Sequence, residues 1–239
     1  MQQLQLTRIQ QITGTLELLS GLRIGASEGE IRIGGVDNQV IRHPHSNQPY
    51  IPGSSLKGKV RSLLEWRSGA VQPEPLGIRD LKSGKPLVKP ILQLFGVGGS
   101  GEIDADMAIE LGPTRVAFWD AALRPEWTQQ VEKDNLLLTE VKTENRIDRI
   151  KGVAEHPRQT ERVPSGALFE FRLSVKVLNI DEGEGAKLRR TLLQGLRLLE
   201  LDSLGGSGSR GYGKVRLRDL KLDGADLQAE FDQLDAFAA

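Results

Sequence analysis

The chain has 239 residues, 38% of them hydrophobic and 27% charged, and contains no cysteine. That is enough for a sizeable buried core, and it excludes wholesale disorder, disulfides and cysteine-ligated zinc. Its 32 basic and 32 acidic residues cancel, which excludes long-range attraction of a polyanion by net charge and leaves nucleic-acid contact to local patches. Two such patches exist. From Ser54 to Trp66 the bases Lys57, Lys59 and Arg61 meet one acid, Glu65, and from Gly205 to Arg218 the bases Arg210, Lys214, Arg216 and Arg218 meet none. No apolar run has the length of a signal peptide or a membrane span, so the expectation is a cytoplasmic protein with no membrane partner.

In chain order, residues 4–19 mix β-branched and polar residues in rough alternation and predict a strand. Gly21-Leu22-Arg23-Ile24-Gly25 follows as a bend, and then the stretch Gly34-Gly35-Val36-Asp37-Asn38. Pro52-Gly53-Ser54-Ser55 has the form of a helix start with Ser54 or Ser55 as N-cap. Leu56, Val60, Leu63 and Leu64 supply one apolar stripe up to about Trp66. Residues 69–106 hold four of the eleven prolines and show little periodicity, which predicts an irregular insertion or lid and no separate domain. Short apolar runs at Met107–Leu111 and Arg115–Trp119 predict strands. The polar segment 139–166 is a long extension, the kind that is functional or disordered in compact proteins. Residues 167–178 alternate cleanly and predict a strand, and Leu188, Leu192, Leu196 and Leu199 mark a helix over about 184–202. The glycine-rich loop 205–213 leads into a strand at 214–222. In the tail, about 223–239, Leu227, Phe231 and Leu234 predict a short amphipathic helix that docks on this chain or on a neighbour. The order β–α–β(β)–β–α–β predicts a single ferredoxin-like α+β domain over residues 1–239, with helices on one face of the sheet.

Two patterns in the glycine loop point the wrong way. Gly206, Gly208 and Gly211 match a dinucleotide fingerprint, and Gly208 with Gly213-Lys214 approaches a P-loop. Both require a strand before the loop and a helix after it, whereas the order here is helix first and strand second. What remains is a loop whose amides can approach a phosphate closely, at Gly208, with Arg210 inside it. A helix C-cap and turn explain the glycines equally well.

Taken together, GGVDNQVIRHPHSNQPYIPGSSLKGKVRSLLE, LQLFG, LTEVKTENRIDRIKGVA, PRQTERVPSGALFEF and LDSLGGSGSRGYGKV resemble the RAMP superfamily of CRISPR-associated proteins. The similarity runs in consistent order over roughly residues 8–222. It is greatest to the repeated backbone subunit of the type III-A (Csm) effector complex. The resemblance implies a ferredoxin-like (RRM-like) RAMP core, with the insertion or lid at about 69–106 and a thumb β-hairpin at about 139–166. It also implies a CRISPR guide RNA, a target RNA, further copies of the chain in a filament, and other subunits of the effector complex as partners. The Asp of the GGVDN motif, Asp37 here, would cleave target RNA at regular intervals with a divalent metal, magnesium being expected. Relatives often carry His in the bend where this chain has Arg23, which cannot act as a base but can bind phosphate.

Physically, RNA brings its own nucleophile in the 2′-hydroxyl, and a carboxylate that accepts its proton or anchors a hydrated metal suffices. Asp37 alone reads equally as an Asx-turn; the surrounding motifs favour catalysis. His43-Pro-His45 reads as plain loop chemistry. Ser54, Ser55, Lys57 and Arg61 read as phosphate contacts at a helix N-terminus, and Lys142, Asn145, Arg149, Arg158, Gln159 and Arg162 as donors along the extension. Two rival readings stand beside the nuclease: a non-catalytic RNA-binding scaffold that forms the filament, and a guide-processing RNase, which would want a histidine near the glycine loop.

Overall fold

The computed structural model describes residues 3–25, 38–98 and 105–238. Strand β1 (Leu6–Leu18) lies at the centre of a five-stranded antiparallel sheet. Its neighbours are β7 (Leu168–Leu178) and β8 (Val215–Leu222), with β3 (Val116–Phe118) and β9 (Ala225–Asp226) at the edges. Alternation decides which side chains face inward. Ile12, Leu16 and Leu18 of β1, Phe169, Phe171 and Leu173 of β7, and Val215, Leu217 and Leu220 of β8 are all buried. The β1–β8 register shifts between Thr13 and Thr15. There Asp219 takes φ 55°, and a Cβ on Gly14 would come within 2.8 Å of the Arg218 carbonyl. A bulge on β8 therefore fits only against glycine.

Helices α1 (Gly53–Ser68) and α5 (Gly185–Leu201) cover the inner face. The predicted stripes are the ones that pack: Leu56, Val60 and Leu64 of α1 against Leu188, Leu192, Leu196 and Leu199 of α5, with Leu63 only partly buried. Each fully buried leucine contributes about 1.5–3 kcal/mol. The helices touch at Gly195, where a Cβ would meet Val60 Cγ1 at 2.7 Å. The start of α1 differs from expectation. Pro52 is its N-cap, and neither Ser54 nor Ser55 makes a side-chain capping bond. Instead β2 (Tyr50–Ile51) pairs with β4 (Ala121–Ala122), and this brings Asp120 to accept a bond from the Gly53 amide at 2.8 Å. The cap is supplied from a distant segment, which local sequence cannot show.

Two further expectations are corrected. The segment 69–106 is not wholly irregular: α2 (Val88–Phe95) lies within it, and its Val88, Ile91, Leu92, Leu94 and Phe95 are buried in the main core. The run at Met107–Leu111 belongs to helix α3 (Ala105–Leu111), not to a strand. Met107 and Leu111, four apart, are the residues that face the core; a five-residue run with four apolar positions does not distinguish the two periods. Helix α4 (Pro125–Lys133) follows. The extension forms a two-stranded hairpin of β5 (Glu140–Ile147) and β6 (Ala154–Arg162), separate from the main sheet. The tail helix α6 (Gln228–Gln233) docks on this chain, with Leu227 and Phe231 buried and Arg197 stacked 5.2 Å from the Phe231 ring centre. No helix among the described residues is long and apolar enough to cross a membrane.

One ion pair is fully enclosed. Arg115 donates to Asp181 from Nε at 3.1 Å and from Nη2 at 2.9 Å, and Asp181 also accepts from the Leu178 amide. The Arg115 side chain is 0% exposed and that of Asp181 3%. Removing one partner strands the other charge in the interior. Asp181→Ala is therefore expected to lower folding stability by about 3–5 kcal/mol, read as a shift in the denaturant midpoint.

Candidate functional site

Four segments meet beyond the end of β1. They are the bend at 20–25, the segment 38–42, the foot of the hairpin and the glycine loop at 204–213. Backbone bonds fasten them: Leu22 and Val163 exchange both, the Glu161 amide donates to Asn38, Gly206 to Arg23 and Gly213 to Gly21, all at 2.8–2.9 Å. Gly25 bridges to Val40, and Asn38 to Thr160. The loop glycines are packing requirements. Gly205 (φ 75°) would place a Cβ 2.3 Å from the Arg23 carbonyl, and Gly213 (φ 72°) 1.9 Å from that of Leu204. The short 3-10 turn Gly208–Arg210 sits between α5 and β8, so helix precedes loop and strand follows, against both nucleotide patterns.

Asp37 lies outside the described residues, but both flanks of its segment are fixed here. Arg23 donates from Nη2 to Asn38 Oδ1 at 2.9 Å, and its Nε is buried with no hydrogen-bond partner among the described residues. Such a donor is costly to leave unmade. Glu161 gathers the segment after it: it accepts from the Val40 amide at 2.9 Å, from Thr139 at 2.8 Å, and from Arg42. Burial alone would raise the Glu161 carboxyl, but these donors outweigh it and hold the pKa below the ordinary glutamate value. Among the described residues no group of three or more His, Asp or Glu is placed to hold a metal ion.

Next to this junction the hairpin carries its cations. The Tyr212 ring, 1% exposed, holds Lys142 Nζ 4.7 Å and Arg162 Cζ 4.9 Å from its centre, close enough for cation–π attraction to both. Burial, and then the nearby Glu144 carboxylate, hold the Tyr212 hydroxyl above its usual pKa. Arg162 also donates to Glu140 at 2.7 Å. Arg210 donates to Glu144 at 2.7 Å and to the Ser207 hydroxyl at 2.7 Å. A groove of about 510 Å³ opens here, its lining including Lys142, Glu144, Arg146, His156, Arg158 and Arg210, with Asn145 beside them. Asn145 lies at the register shift of the hairpin, and Gln159 pairs in register with Thr143. Arg149 is exposed at the far turn, whose backbone is held by Asp148 accepting from the Ile150 and Lys151 amides.

The helix α1 residues form a second group. Ser54 is exposed and Ser55 half-buried. Lys57 is half-buried, and burial, then Arg61, lower its pKa. Arg61 is committed inward, to Glu65 at 2.7 Å and to the Leu76 carbonyl at 2.8 Å, while Glu65 also takes the Leu76 amide. It straps the 76 loop to α1. No hydrogen bond or ion pair among the described residues joins this group to the hairpin cluster. Sequence reasoning missed Tyr212, Asn38, Glu144 and Glu161. The aromatic inside Gly211-Tyr212-Gly213 was the available signal for the first; the two acids were indistinguishable from ordinary charge balance.

The sequence pattern of the RAMP superfamily matches residues 15–216. The protein named CRISPR system Cms endoribonuclease Csm3 from Methanothermobacter thermautotrophicus is 40% identical over 224 residues, 88% of this chain and 84% of the relative. The protein of that name from Methanocaldococcus jannaschii is 40% identical over 216 residues, 88% and 79%. A chain of the crystal structure of the Csm3–Csm4 subcomplex in the type III-A CRISPR-Cas interference complex superposes with TM-score 0.53 at 30% identity, covering 91% of this chain and 80% of that one. With matches of this length and identity, the chain belongs to the RAMP superfamily and, within it, to the Csm3 endoribonucleases.

Proposed function

We propose that this chain is the RNA-binding backbone subunit of a type III CRISPR effector complex, and an endoribonuclease that cuts guide-complementary target RNA at regular intervals. The observation that carries the reading to a place in the fold is the junction at Asn38. The residue after Asp37 is tied to Arg23 and to the hairpin foot, so Asp37 is one residue from a fixed arginine and from the hairpin that carries Lys142, Arg158 and Arg162. We read the five-stranded sheet with α1 and α5 as a ferredoxin-like core and the hairpin as a thumb between guide and target. Ile147, Ile150 and Val153 at its end are 46%, 96% and 47% exposed. Aliphatic tips of this kind are what a wedge between stacked bases requires.

The chemistry asks little of the protein. A 2′-hydroxyl in line with the neighbouring phosphate attacks once its proton is taken, and Asp37 is the carboxylate assigned to accept it. Arg23, whose buried Nε has no partner among the described residues, would supply a fixed donor for a phosphate oxygen. A divalent ion, magnesium in this reading, would rest on Asp37 and on phosphate oxygens, where it would neutralise developing charge. The two oxygen-bearing side chains nearest in the fold are already engaged, Asn38 Oδ1 by Arg23 and Glu161 by Arg42, Thr139 and the Val40 amide. Guide phosphates would be held by Lys57 and the first turn of α1 on one side and by Lys142, Arg158, Arg162 and Arg210 on the other. Further copies of the chain and the other subunits of the complex, in the cytoplasm, complete the setting.

Two measurements test this. In the assembled complex, labelled guide-complementary RNA is expected to yield evenly spaced products that vanish with EDTA and with Asp37→Ala, at unchanged RNA affinity. Cleavage by that variant would remove Asp37 from catalysis, and intact target bound by the wild type would make the chain a scaffold. For the backbone contacts, Lys57→Ala and Lys142→Ala are each expected to lower the slope of log affinity against log salt by about 0.7, measured by titration across a salt series.

A further inference from the structure

The groove at the hairpin foot holds one carboxylate among its cations. Lys142, Arg146, Arg158 and Arg210 line it with His156, and Glu144 is the acid they share it with. Glu144 Oε2 accepts from Arg210 Nη1 at 2.7 Å, and its Oε1 lies 4.0 Å from Lys142 Nζ. A carboxylate bridging two cations with its two oxygens presents what the two non-bridging oxygens of a phosphodiester would present. The Glu144 side chain is 19% exposed and that of Arg210 60%, so the pair lies where solvent and a strand can reach it.

Arg210 does not depend on this acid for its position. Its Nη2 donates to Ser207 Oγ, and its own amide closes the 3-10 turn on the Ser207 carbonyl at 2.9 Å. Lys142 is likewise held over the Tyr212 ring. Removing the acid thus leaves two placed cations short of an acceptor. Glu144 also directly precedes the place where the hairpin ladder changes register, between Glu144 and Arg146, so its strand position is bounded by an irregularity there.

We infer that Glu144 stands in for a backbone phosphate in the free chain and is displaced from Arg210 and Lys142 when RNA binds. This rests on the reading that the hairpin foot holds RNA backbone. Glu144 then sets the affinity of the site. A tethered carboxylate outcompetes isolated small anions, whereas a strand that engages several sites at once, on one chain and along a row of copies, overcomes it through effective concentration.

The test is binding of fluorescein-labelled single-stranded oligouridine to the full chain, read by anisotropy. Glu144→Gln keeps the shape and an acceptor oxygen but removes the charge. It is expected to tighten binding about three- to tenfold near physiological salt, as one freed charged contact would, with the gain shrinking as salt rises. In an Arg210→Ala background the same change is expected to gain less, and in an Arg210→Ala, Lys142→Ala background nothing. Glu144→Thr, uncharged and favourable in a strand, is expected to repeat the gain if the Gln variant folds poorly. Unchanged or weaker binding by both variants, with wild-type melting, overturns the inference and makes Glu144 an anchor between hairpin and loop. If Lys142→Ala and Arg162→Ala bind as the wild type does, the RNA-binding reading of the hairpin foot itself falls, and the role of Glu144 with it.

Discussion

Everything at the functional corner depends on how closely the glycine loop approaches the bend after β1. The carbonyls of Arg23 and Leu204 lie where side-chain atoms of residues 205 and 213 would have to sit, so the loop closes to backbone–backbone distance only because glycine stands there. That approach permits the Gly206–Arg23 and Gly213–Gly21 bonds. It also seats Tyr212 between them, under the hairpin. One contact thereby joins the α5–β8 connection, the end of β1, the hairpin foot and the segment that follows Asp37. Gly213, which completes the imitated P-loop pattern, is one of the two glycines this packing requires, and Gly205 beside the pattern is the other.

The electrostatics follow from that joint. A neutral chain cannot attract RNA from a distance, so its cations must be gathered and held. Tyr212 holds two of them by its ring faces, Glu140 and Glu144 hold two by charge, and Glu161 binds the 38–42 segment to the hairpin. Most of these groups are partly exposed, where single ion pairs contribute little to stability. In the proposed function their value lies in placing donors before a strand arrives, which would reduce the ordering cost of binding. The buried Arg115–Asp181 pair at the other end of β7 is a different case, enclosed and bonded on all sides, and serves the fold.

How much of this was legible in the sequence differs by length scale. Where a period repeats over many residues, as in β1, β7, α1 and α5, pattern reading placed the element and its buried face. It failed at Met107–Leu111, where four apolar residues and Glu110 fit either period, and at 88–95, where only eight residues with Pro90 among them form the helix and both the proline and the short run argue against one. It failed again at the cap of α1. There two serines offered a local solution, yet Asp120, 67 residues away, fills the role. Among the site residues, most of the basic ones were found because patches of like charge are visible in one dimension, while Arg42 and Arg146 were passed over. Arg61 shows the limit of that signal: its partner Glu65 is one turn along the same helix, and only the fold shows that the pair is spent on the Leu76 loop. Tyr212, Glu144 and Glu161 act through partners 22 to 121 residues distant, a range no local pattern reaches.

The use made of Tyr212 bears on what the site can read. Sequence-specific RNA recognition stacks bases on exposed aromatic faces and bonds their edges. Here the aromatic at the centre of the cluster is buried, and its ring is engaged by Lys142 and Arg162. The donors that remain outward, Arg210, Arg158 and Lys142, are long cations suited to phosphate oxygens, and phosphate contacts position a strand without reading it. With aromatic residues only 5% of the chain, little else is available for stacking. A subunit built this way grips any strand of the right backbone shape and leaves the choice of sequence to base pairing, which is the division of labour an RNA-guided complex needs.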